Sequence, residues 1–573
     1  MVTVANNRAV LLLIVILIMT VISVLTGVYL TSLVTEKRSV DDERFVDQAV
    51  DLAESGANHA VSEIRFRLIN ATPINVRLKT RASDFNSYVT GNDSLGFLRD
   101  FCYGSGETQF ASTPGVSGEM SVNVTALSLI GNVEGNYTNA TIRVRADGAP
   151  KGDLVNEQFW FNYTYSVESN GKITRYATPI QKQVVYSPKP ISVFVHRDNF
   201  AKYALFTVHH KTEDNTAVWF TNNTNFAGPV HTNERFCFAN NPSAHFTENA
   251  TQHNQTTYFY NNSNSVLLDN DHNGVKDVPT FDMGFKRGDD EIIMNASITQ
   301  SQMKSQALGT MADSGNGIFV ANNGSACTGG IYIRGSSSQS SDDAYINMTV
   351  DGSSHQVYTV NQGGNNTTIT INYPSNQTTV VNSTGTHVYT GVPDGTSHEG
   401  VIVYVNDTVK SFFGTVSNEV NATVAAEKDL VLTGNVTYSN YTASPLSAEG
   451  ANNLLGIISW GGDIRIGSGA PNNVTVHGII MAPQGVFTVD NYDSGHDRGT
   501  ATLLGGVISN YYGAFGTFGG NGGNTGYGRN FLYDGRMLDG TAPPYFPYMS
   551  YFTADVKPTD VLLQKMTWQM KEN

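Results

Sequence analysis

The sequence predicts a mainly β protein that begins with one long α-helix. Three observations predict this fold class. Residues 9–34 form an apolar run without a charged residue. From about residue 120 apolar and polar residues alternate, as they do in half-buried strands. After residue 190, short apolar runs are separated by Gly and Asn. We therefore expect a long helix, then a small antiparallel sheet domain, then a parallel β-helix or solenoid-like body.

The first element, residues 1–35, is predicted to be a transmembrane helix. About 20 apolar residues cross a hydrocarbon core of about 30 Å, and the run at 9–34 is longer than that. Arg8 is the only charged side chain before the run, and positive charge favours the cytoplasmic side. We therefore expect a cytoplasmic N-terminus, a single pass and an exported body. A cleaved secretory signal is the competing interpretation. It is disfavoured by the length of the run and by the poor cleavage site TSLVTEKRS at 31–39.

The second element, residues 36–70, is predicted to be an amphipathic helical stalk. Its apolar residues recur at the spacing of one helix face. They are Phe45, Val46, Ala49, Val50, Ala53, Ala57, Ala60, Val61, Ile64 and Leu68.

Residues 71–190 are predicted to form the small antiparallel β domain. Period-two runs lie at 120–129, 140–148, 157–167 and 175–187. A β-rich region over 191–420 follows, and we expect a C-terminal tail at 548–573 that can be helical.

Solenoid rungs are predicted over residues 421–547. Strand–turn–strand units start at 422, 454, 474 and 501, a spacing of roughly 20–32 residues that suits stacked β-helix rungs. Runs such as GIISW and GIIMA are continuously apolar, as strands buried on both faces should be. A β-sandwich is the alternative, and it would give cleaner alternation and hairpin turns.

Composition limits the classes of function. A net charge of −15 argues against nucleic acid as a partner. Cys102, Cys237 and Cys327 are too few for a disulfide scaffold, so one bridge with a free thiol and three buried thiols both stay open. The sequence has no G-x-S-x-G, H-E-x-x-H, phosphate-loop or C-x-x-C motif. This is weak evidence against an enzyme, because β-helix polysaccharide lyases and hydrolases use dispersed residues.

A calcium loop is one candidate site. Asp269, Asp271, Asn273 and Asp277 place oxygen ligands at positions 1, 3, 5 and 9, and Gly274 occupies position 6. An EF-hand would have Glu at position 12, where this chain has Thr280. A bound Ca²⁺ would have a structural role. The alternative is an Asn- and Asp-rich turn.

N-glycosylation is a second candidate, because N-x-S/T sequons are dense and would mark an exported surface. The alternative is that Asn and Thr are simply common in this chain. The candidate residues are Asn123, Asn136, Asn139, Asn162, Asn222, Asn249, Asn347, Asn406, Asn435 and Asn473.

A structural clamp is the third candidate. Arg498 lies among Gly and aromatic residues, where a buried guanidinium needs a carboxylate. Asp534 is the expected partner, with no catalytic role.

The N-terminus resembles that of type IV pilin-like proteins, most closely the minor pilins and the tip-type pseudopilin. Residues 6–9 (NNRA), the aliphatic run and LAESGANHAVSEI at 52–64 carry the resemblance. It implies that prepilin peptidase cuts between Ala9 and Val10, and that like subunits pack through this helix. Major pilins have Glu at the fifth mature position, where this chain has Ile14. The resemblance therefore points away from a major filament subunit.

The C-terminal two-thirds resemble a bacterial family of uncharacterised exported proteins with a pilin-type N-terminus and a β-rich body. The motifs are FAKYALFT (200–207), GPVHTNERFCFA (228–239), VDNYDSGHDRGTATLLGGVI (489–508), GAFGTF (513–518) and APPYFP (542–547).

Together these observations predict a membrane-anchored, exported structural or surface protein without catalytic activity. Its body would project outward for adhesion or filament-tip binding, with membrane, pilin-like subunits and surface glycans or proteins as partners. The alternative is a membrane-tethered, β-helix carbohydrate-active enzyme.

Overall fold

A computed structural model describes residues 3–68, 76, 81–103, 119–125, 135–154, 157–175, 178–220, 224–239, 244–261, 264–268, 279–294, 296–335, 342–517, 524–557 and 568–571. The protein is mostly β, with a long N-terminal helix, an antiparallel sheet and a large β body. It divides into two compact units. The first comprises Met1–Arg197 with Tyr551–Asn573, and the second comprises Asp198–Ser550.

Within its described residues the first unit has three helices, α1 Thr3–Phe66, α2 Ala82–Thr90 and α3 Ser94–Tyr103. Its strands, among the same described residues, are the first five and last two of the chain. They are β1 Glu119–Thr125, β2 Gly135–Ala146, β3 Lys151–Asp153, β4 Gln158–Arg175, β5 Thr178–Asn199, β36 Tyr548–Lys557 and β37 Trp568–Lys571.

These strands form one sheet in the order β1-β2-β4-β5-β36, with β3 on β4 and β37 on β5. The pairs β1–β2, β2–β4, β4–β5 and β5–β37 are antiparallel, as the period-two pattern predicted. Where the structure describes the predicted C-terminal tail, at Tyr548–Lys557 and Trp568–Lys571, the tail is strand and not helix. The tail completes the sheet whose other strands lie some 400 residues earlier, and a local pattern does not report such a partner.

The C-terminal half of α1 packs on this sheet through small side chains. Ala49, Ala53, Ala57 and Ala60 are fully buried. At Gly171 in β4, an added Cβ would overlap the carbonyl oxygen of Ala49 and the amide nitrogen of Ala53. Alanine on the helix and glycine on the strand therefore let the two backbones meet.

The second unit has one α-helix, α4 Ala296–Leu308, among its described residues. The strands of its N-terminal part are β6 Leu205–His209, β7 Asn225–Phe226, β8 Val230–Thr232, β9 Cys237–Phe238, β10 His245–Phe246, β11 Ala250–Gln252, β12 Thr257–Asn261, β13 Asn264–Leu268, β14 Thr280–Phe281, β15 Phe285–Arg287, β16 Gly317–Asn322 and β17 Cys327–Arg334.

The remaining strands are β18 Ala344–Val350, β19 Gln356–Gln362, β20 Asn365–Asn372, β21 Gln377–Asn382, β22 Gly385–Thr390, β23 Val401–Val405, β24 Val409–Val416, β25 Asn421–Ala426, β26 Leu430–Tyr438, β27 Thr442–Ala443, β28 Leu446–Ser447, β29 Leu454–Ser459, β30 Ile464–Ile466, β31 Thr475–Ala482, β32 Phe487–Val489, β33 Asp497–Tyr511, β34 Gly516–Thr517 and β35 Thr525–Leu532. Short 3₁₀ helices lie at Phe200–Lys202 and Gly535–Asp539.

The centre of this unit is a stack of parallel coils. Strands β23, β25, β29, β31 and β33 pair in parallel, each with the next, in one sheet. Strands β24, β26, β30 and β32 do the same in a second. Each coil therefore contributes one strand to each sheet, which is the parallel β-helix arrangement that the sequence predicted.

The stack is longer than predicted and is not built in chain order. Strand β6 pairs in parallel with β33, and β8, β11 and β15 follow it in the same sheet. At the other end β17 pairs with β23. The stack thus continues beyond the predicted rungs at 421–547, because the short strands of 205–287 extend the same sheet.

An antiparallel meander adjoins the second sheet. Strand β18 pairs in parallel with β24, and β18 to β22 are antiparallel neighbours in chain order. One face of the meander packs on the main hydrophobic core through Ile346, Tyr358, Ile369 and Val380. The opposite face points away from that core.

Candidate functional site

The N-terminal half of α1 leaves its large apolar side chains exposed. Every Leu, Ile, Val and Met from Val10 to Val34 is at least 41% exposed. The helix is long and apolar enough to cross a membrane, and it lies near the N-terminus. Burial of one such side chain is worth about 1.5–3 kcal/mol, so this surface requires an apolar environment. Ala9 and Val10, the expected processing residues, lie within the helix and are exposed.

The expected calcium ligands Asp269, Asp271, Asn273 and Asp277 lie outside the described residues. Within the described ranges, no group of three or more His, Cys, Asp or Glu side chains is placed to hold a metal ion. The calcium loop therefore stays a prediction.

The sequon asparagines differ in accessibility. Asn249, Asn435 and Asn473 are exposed, whereas Asn162, Asn347 and Asn406 are half-buried. The side-chain oxygen of Asn435 accepts a hydrogen bond from the backbone N–H of Thr475 at 2.9 Å, and that of Asn473 accepts one from Thr500 at 3.1 Å. Asn123, Asn136 and Asn139 lie in β1 and β2, and Asn222 lies outside the described residues.

The expected pairing of Arg498 with Asp534 was wrong. Arg498 donates to the carbonyl oxygens of Gly467 and Ser468, each at 3.3 Å, and lies over the ring of Tyr527. Asp534, only 2% exposed, pairs with Arg536 at 2.6 Å. Residue types alone could not distinguish two arginines near one aspartate.

Each arginine nonetheless bonds to backbone carbonyl groups of another part of the chain. Arg536 also donates to the carbonyl oxygens of Ala451 and Asn453, at 2.9 and 2.8 Å. It thereby ties the 3₁₀ helix at Gly535–Asp539 to the segment between β28 and β29. The buried Asp534 therefore has an arginine partner, two residues away in the sequence.

All three cysteines are free thiols. Cys102 and Cys237 are buried, and burial raises the pKa of each to about 12. Cys327 is partly exposed, and burial also raises its pKa. Because the thiolate is the reactive form, none of the three is an activated nucleophile.

Other segments of the chain cover the outer face of the parallel sheet that contains β17, β23 and β29. A Cβ at Gly456 would lie 3.0 Å from Cδ2 of Phe546 and 3.2 Å from Cβ of Pro543. A Cβ at Gly330 would lie 3.2 Å from Cα of Ala307 in α4. The APPYFP segment and α4 thus occupy this face, and strands β23 and β29 are buried along their whole length. The GIISW run at the end of β29 and the GIIMA run in β31 are buried on both faces, which confirms the prediction made from them.

Convergent charged and phenolic groups occur beside α4. The ammonium of Lys304 lies 3.2 Å from a carboxylate oxygen of Asp313 and 3.2 Å from one of Glu427. Tyr332 donates to Asp313 at 2.9 Å, and Tyr404 donates to Glu427 at 3.0 Å. The two tyrosine rings are stacked. We call these five residues the α4 charge cluster.

The electrostatics of this cluster favour a fixed charge pattern. Burial opposes the charge of Lys304, but Glu427 and Asp313 outweigh it and raise its pKa. Burial also opposes the charge of Asp313, yet the hydrogen bonds from Tyr332 and Lys304 hold its pKa below the usual value. Burial and Asp313 raise the pKa of Tyr332 to about 12. Near neutral pH these three groups therefore keep one protonation state each, whereas acid–base catalysis needs a pKa close to the working pH.

Sequence reasoning missed this cluster. Its members are spread from residue 304 to residue 427 and match no motif. Only the stacking of β17 on β23 brings Tyr332 beside Tyr404. No local signal could have found it.

The chain is similar to a domain of unknown function, DUF4900, over residues 158–254. This segment includes the FAKYALFT and GPVHTNERFCFA motifs. Comparison with curated proteins and with solved structures gives no match.

Proposed function

We propose that this chain is a membrane-anchored structural protein whose β-helix body is displayed on the outer side of the membrane. The observation that carries the proposal is the contrast along α1. Its residues 10–34 leave every large apolar side chain exposed, whereas Ala49, Ala53, Ala57 and Ala60 are buried in the chain's own domain. A helix with one half in lipid or in a bundle of like helices, and the other half in a folded domain, is an anchor.

We further propose that α1 assembles with like helices, as in pilin-type filaments. Helices of this kind can pack side by side in a filament core, where burial of apolar surface drives association. Cleavage between Ala9 and Val10 would then leave a mature chain that begins within the apolar run. Adhesion or binding at a filament tip would be the role of the body.

A non-catalytic body is favoured over a carbohydrate-active enzyme. The outer face of the parallel sheet is occupied by α4 and the APPYFP segment. The α4 charge cluster holds Lys304 protonated and Asp313 ionised near neutral pH. It is better suited to attaching α4 to β17 and β23 than to moving protons.

Mass spectrometry of the chain purified from its native membrane tests the proposal. A chain that begins at Val10 supports pilin-type processing, and one that retains Met1 supports a plain anchor. Alkaline carbonate extraction tests the anchor itself, because a membrane-spanning helix stays in the pellet. Release of the intact chain into the supernatant would contradict both readings.

A further inference from the structure

The outward face of the antiparallel meander carries no charged residue. Strands β18 to β22 alternate between side chains that enter the core and side chains that point away from it. The outward positions hold only Thr, Asn, Val, Gln and Tyr, although 15% of the whole chain is charged. We call these outward positions the Thr-rich face.

The strand register arranges this face in straight rows across all five strands. One row runs through Asn347, Thr359, Thr368, Val381 and Thr386. Strands in a sheet lie about 4.8 Å apart, and alternate residues along a strand lie about 6.8 Å apart. The face is therefore a regular array of hydroxyl, amide and methyl groups.

A second row has the same character. It runs through Thr349, Val357, Thr370, Thr379 and Val388. Hydroxyl and amide groups both donate and accept hydrogen bonds, whereas a charged group does only one of these. The methyl groups of Thr and Val lie between them, so the array presents polar and apolar groups together.

Aromatic rings lie at one side of the array. Tyr345, at an outward position of β18, is 49% exposed, and Phe413 in the adjacent strand β24 is 37% exposed. Tyr345 pairs with Ser411 and Asn347 pairs with Phe413, so the two rings are diagonal neighbours.

We infer that the Thr-rich face binds an extended, uncharged polysaccharide. Sugar hydroxyls donate and accept hydrogen bonds as Thr and Asn do, and the C–H faces of pyranose rings pack on methyl groups and aromatic rings. A neutral ligand needs no counter-charge, and none is present on this face. An interface with a second copy would be expected to have more large aromatic, Met and Arg side chains at its centre. A nucleic acid or an anionic lipid surface would require Lys and Arg.

This inference rests on the proposed function, since only a displayed body would meet such a polymer. It also requires Asn347 to be unmodified, because a glycan there would cover the central row.

The test is co-sedimentation of the full chain in detergent micelles with microcrystalline cellulose and, separately, with insoluble chitin. Thr359→Lys places a charge at the centre of the face, and Thr442→Lys places the same charge at an exposed position of β27 outside it. We expect Thr359→Lys to weaken binding by about tenfold or more, as central interface residues do, and Thr442→Lys to leave it unchanged. Tyr345→Ala should also weaken binding. It is the test variant to use if Thr359→Lys fails to fold.

Three outcomes would overturn the inference. They are failure of the wild-type chain to bind either polymer, equal binding by wild type and Thr359→Lys, and equal loss in Thr442→Lys. Sedimentation velocity adds a fourth, since an oligomer that Thr359→Lys dissociates would make the face a contact between copies. Failure here with the chain still retained in carbonate-washed membranes would leave the proposed anchor intact.

Discussion

Gly171 of β4 lies directly against the backbone of α1 at Ala49. An added Cβ would overlap the Ala49 carbonyl oxygen and the Ala53 amide nitrogen, so nothing larger than hydrogen fits. This contact docks the amphipathic half of α1 on the sheet.

Replacement of Gly171 by Val should therefore destabilise the first unit. Overpacking of this kind costs about 1–3 kcal/mol, because the helix must move away from the sheet. Urea unfolding of the full chain in detergent, followed by circular dichroism, measures the change. Gly352→Ala is the control, since no atom lies within 4 Å of the added Cβ there. Equal stability of the two variants would show that the helix does not rest on Gly171.

Arg536→Met should be more damaging than Arg498→Met. Loss of Arg536 leaves the buried carboxylate of Asp534 without its ion-pair partner, which costs about 3–5 kcal/mol. Loss of Arg498 removes hydrogen bonds to carbonyl groups at a partly exposed site and should cost about 1–2 kcal/mol. Thermal unfolding of both variants checks the order. If Arg498→Met is the less stable protein, the assignment of the principal clamp to Arg536 fails.

His210 should make stability depend on pH. It is buried among Phe220, Phe236 and Tyr512, and both ring nitrogens are without a hydrogen-bond partner. Burial, with a smaller effect from Arg529, lowers its pKa to about 3. The unfolded histidine has a pKa of about 6.5, so the unfolded state binds more protons as the pH falls below that value. His210 should therefore cost about 1.4 kcal/mol of stability per pH unit of acidification below about pH 6.5.

His210→Phe isolates this effect. Phe removes two unpartnered polar atoms from an aromatic site, so the variant should be at least as stable as wild type near neutral pH. Between about pH 6 and pH 5 it should lose less stability than wild type, and the difference in unfolding free energy is the quantity to measure. His477, whose pKa burial lowers to about 4, retains its own contribution in both proteins. Parallel pH profiles for the two chains would mean that His210 is not buried in the neutral form.

Thiol labelling checks the state of the cysteines. Cys327 is partly exposed, whereas Cys102 and Cys237 are buried. Under native conditions a maleimide should modify Cys327 slowly and leave the other two unmodified, and in denaturant all three should react. Intact-mass analysis gives the number of maleimide labels per chain under each condition. A mass lower by two hydrogens that disappears on reduction would show a disulfide.

Parts of this fold were predictable because their signals are local. The apolar run at 9–34 gave the helix, and the double-sided apolar runs such as Ile457 with Ile458 gave the buried parallel strands. The position of the N-terminal coils was not predictable. Strand β6 stacks on β33, about 300 residues later in the chain, and its short apolar sequence carries no information about that partner.

The candidate sites also depend on contacts that the local sequence pattern does not reveal. Asp534 was recognised as a clamp residue, but its partner depends on the turn of a 3₁₀ helix that brings Arg536 back to it. The Thr-rich face depends on the register of five strands, which places Thr359 beside Thr368. Each strand alone is an ordinary alternating sequence, so the uncharged face becomes visible only when the sheet is assembled.

We propose that α1 holds the chain in a membrane with the β body on the outer side. The most direct measurement is labelling of intact spheroplasts with a membrane-impermeant amine reagent, followed by separation of membrane and cytosol. If α1 is such an anchor, we expect lysines of the body, such as the exposed Lys410, to be labelled. All labelled chain should be in the membrane fraction. Full-length chain that is unlabelled and free in the cytosol would contradict it.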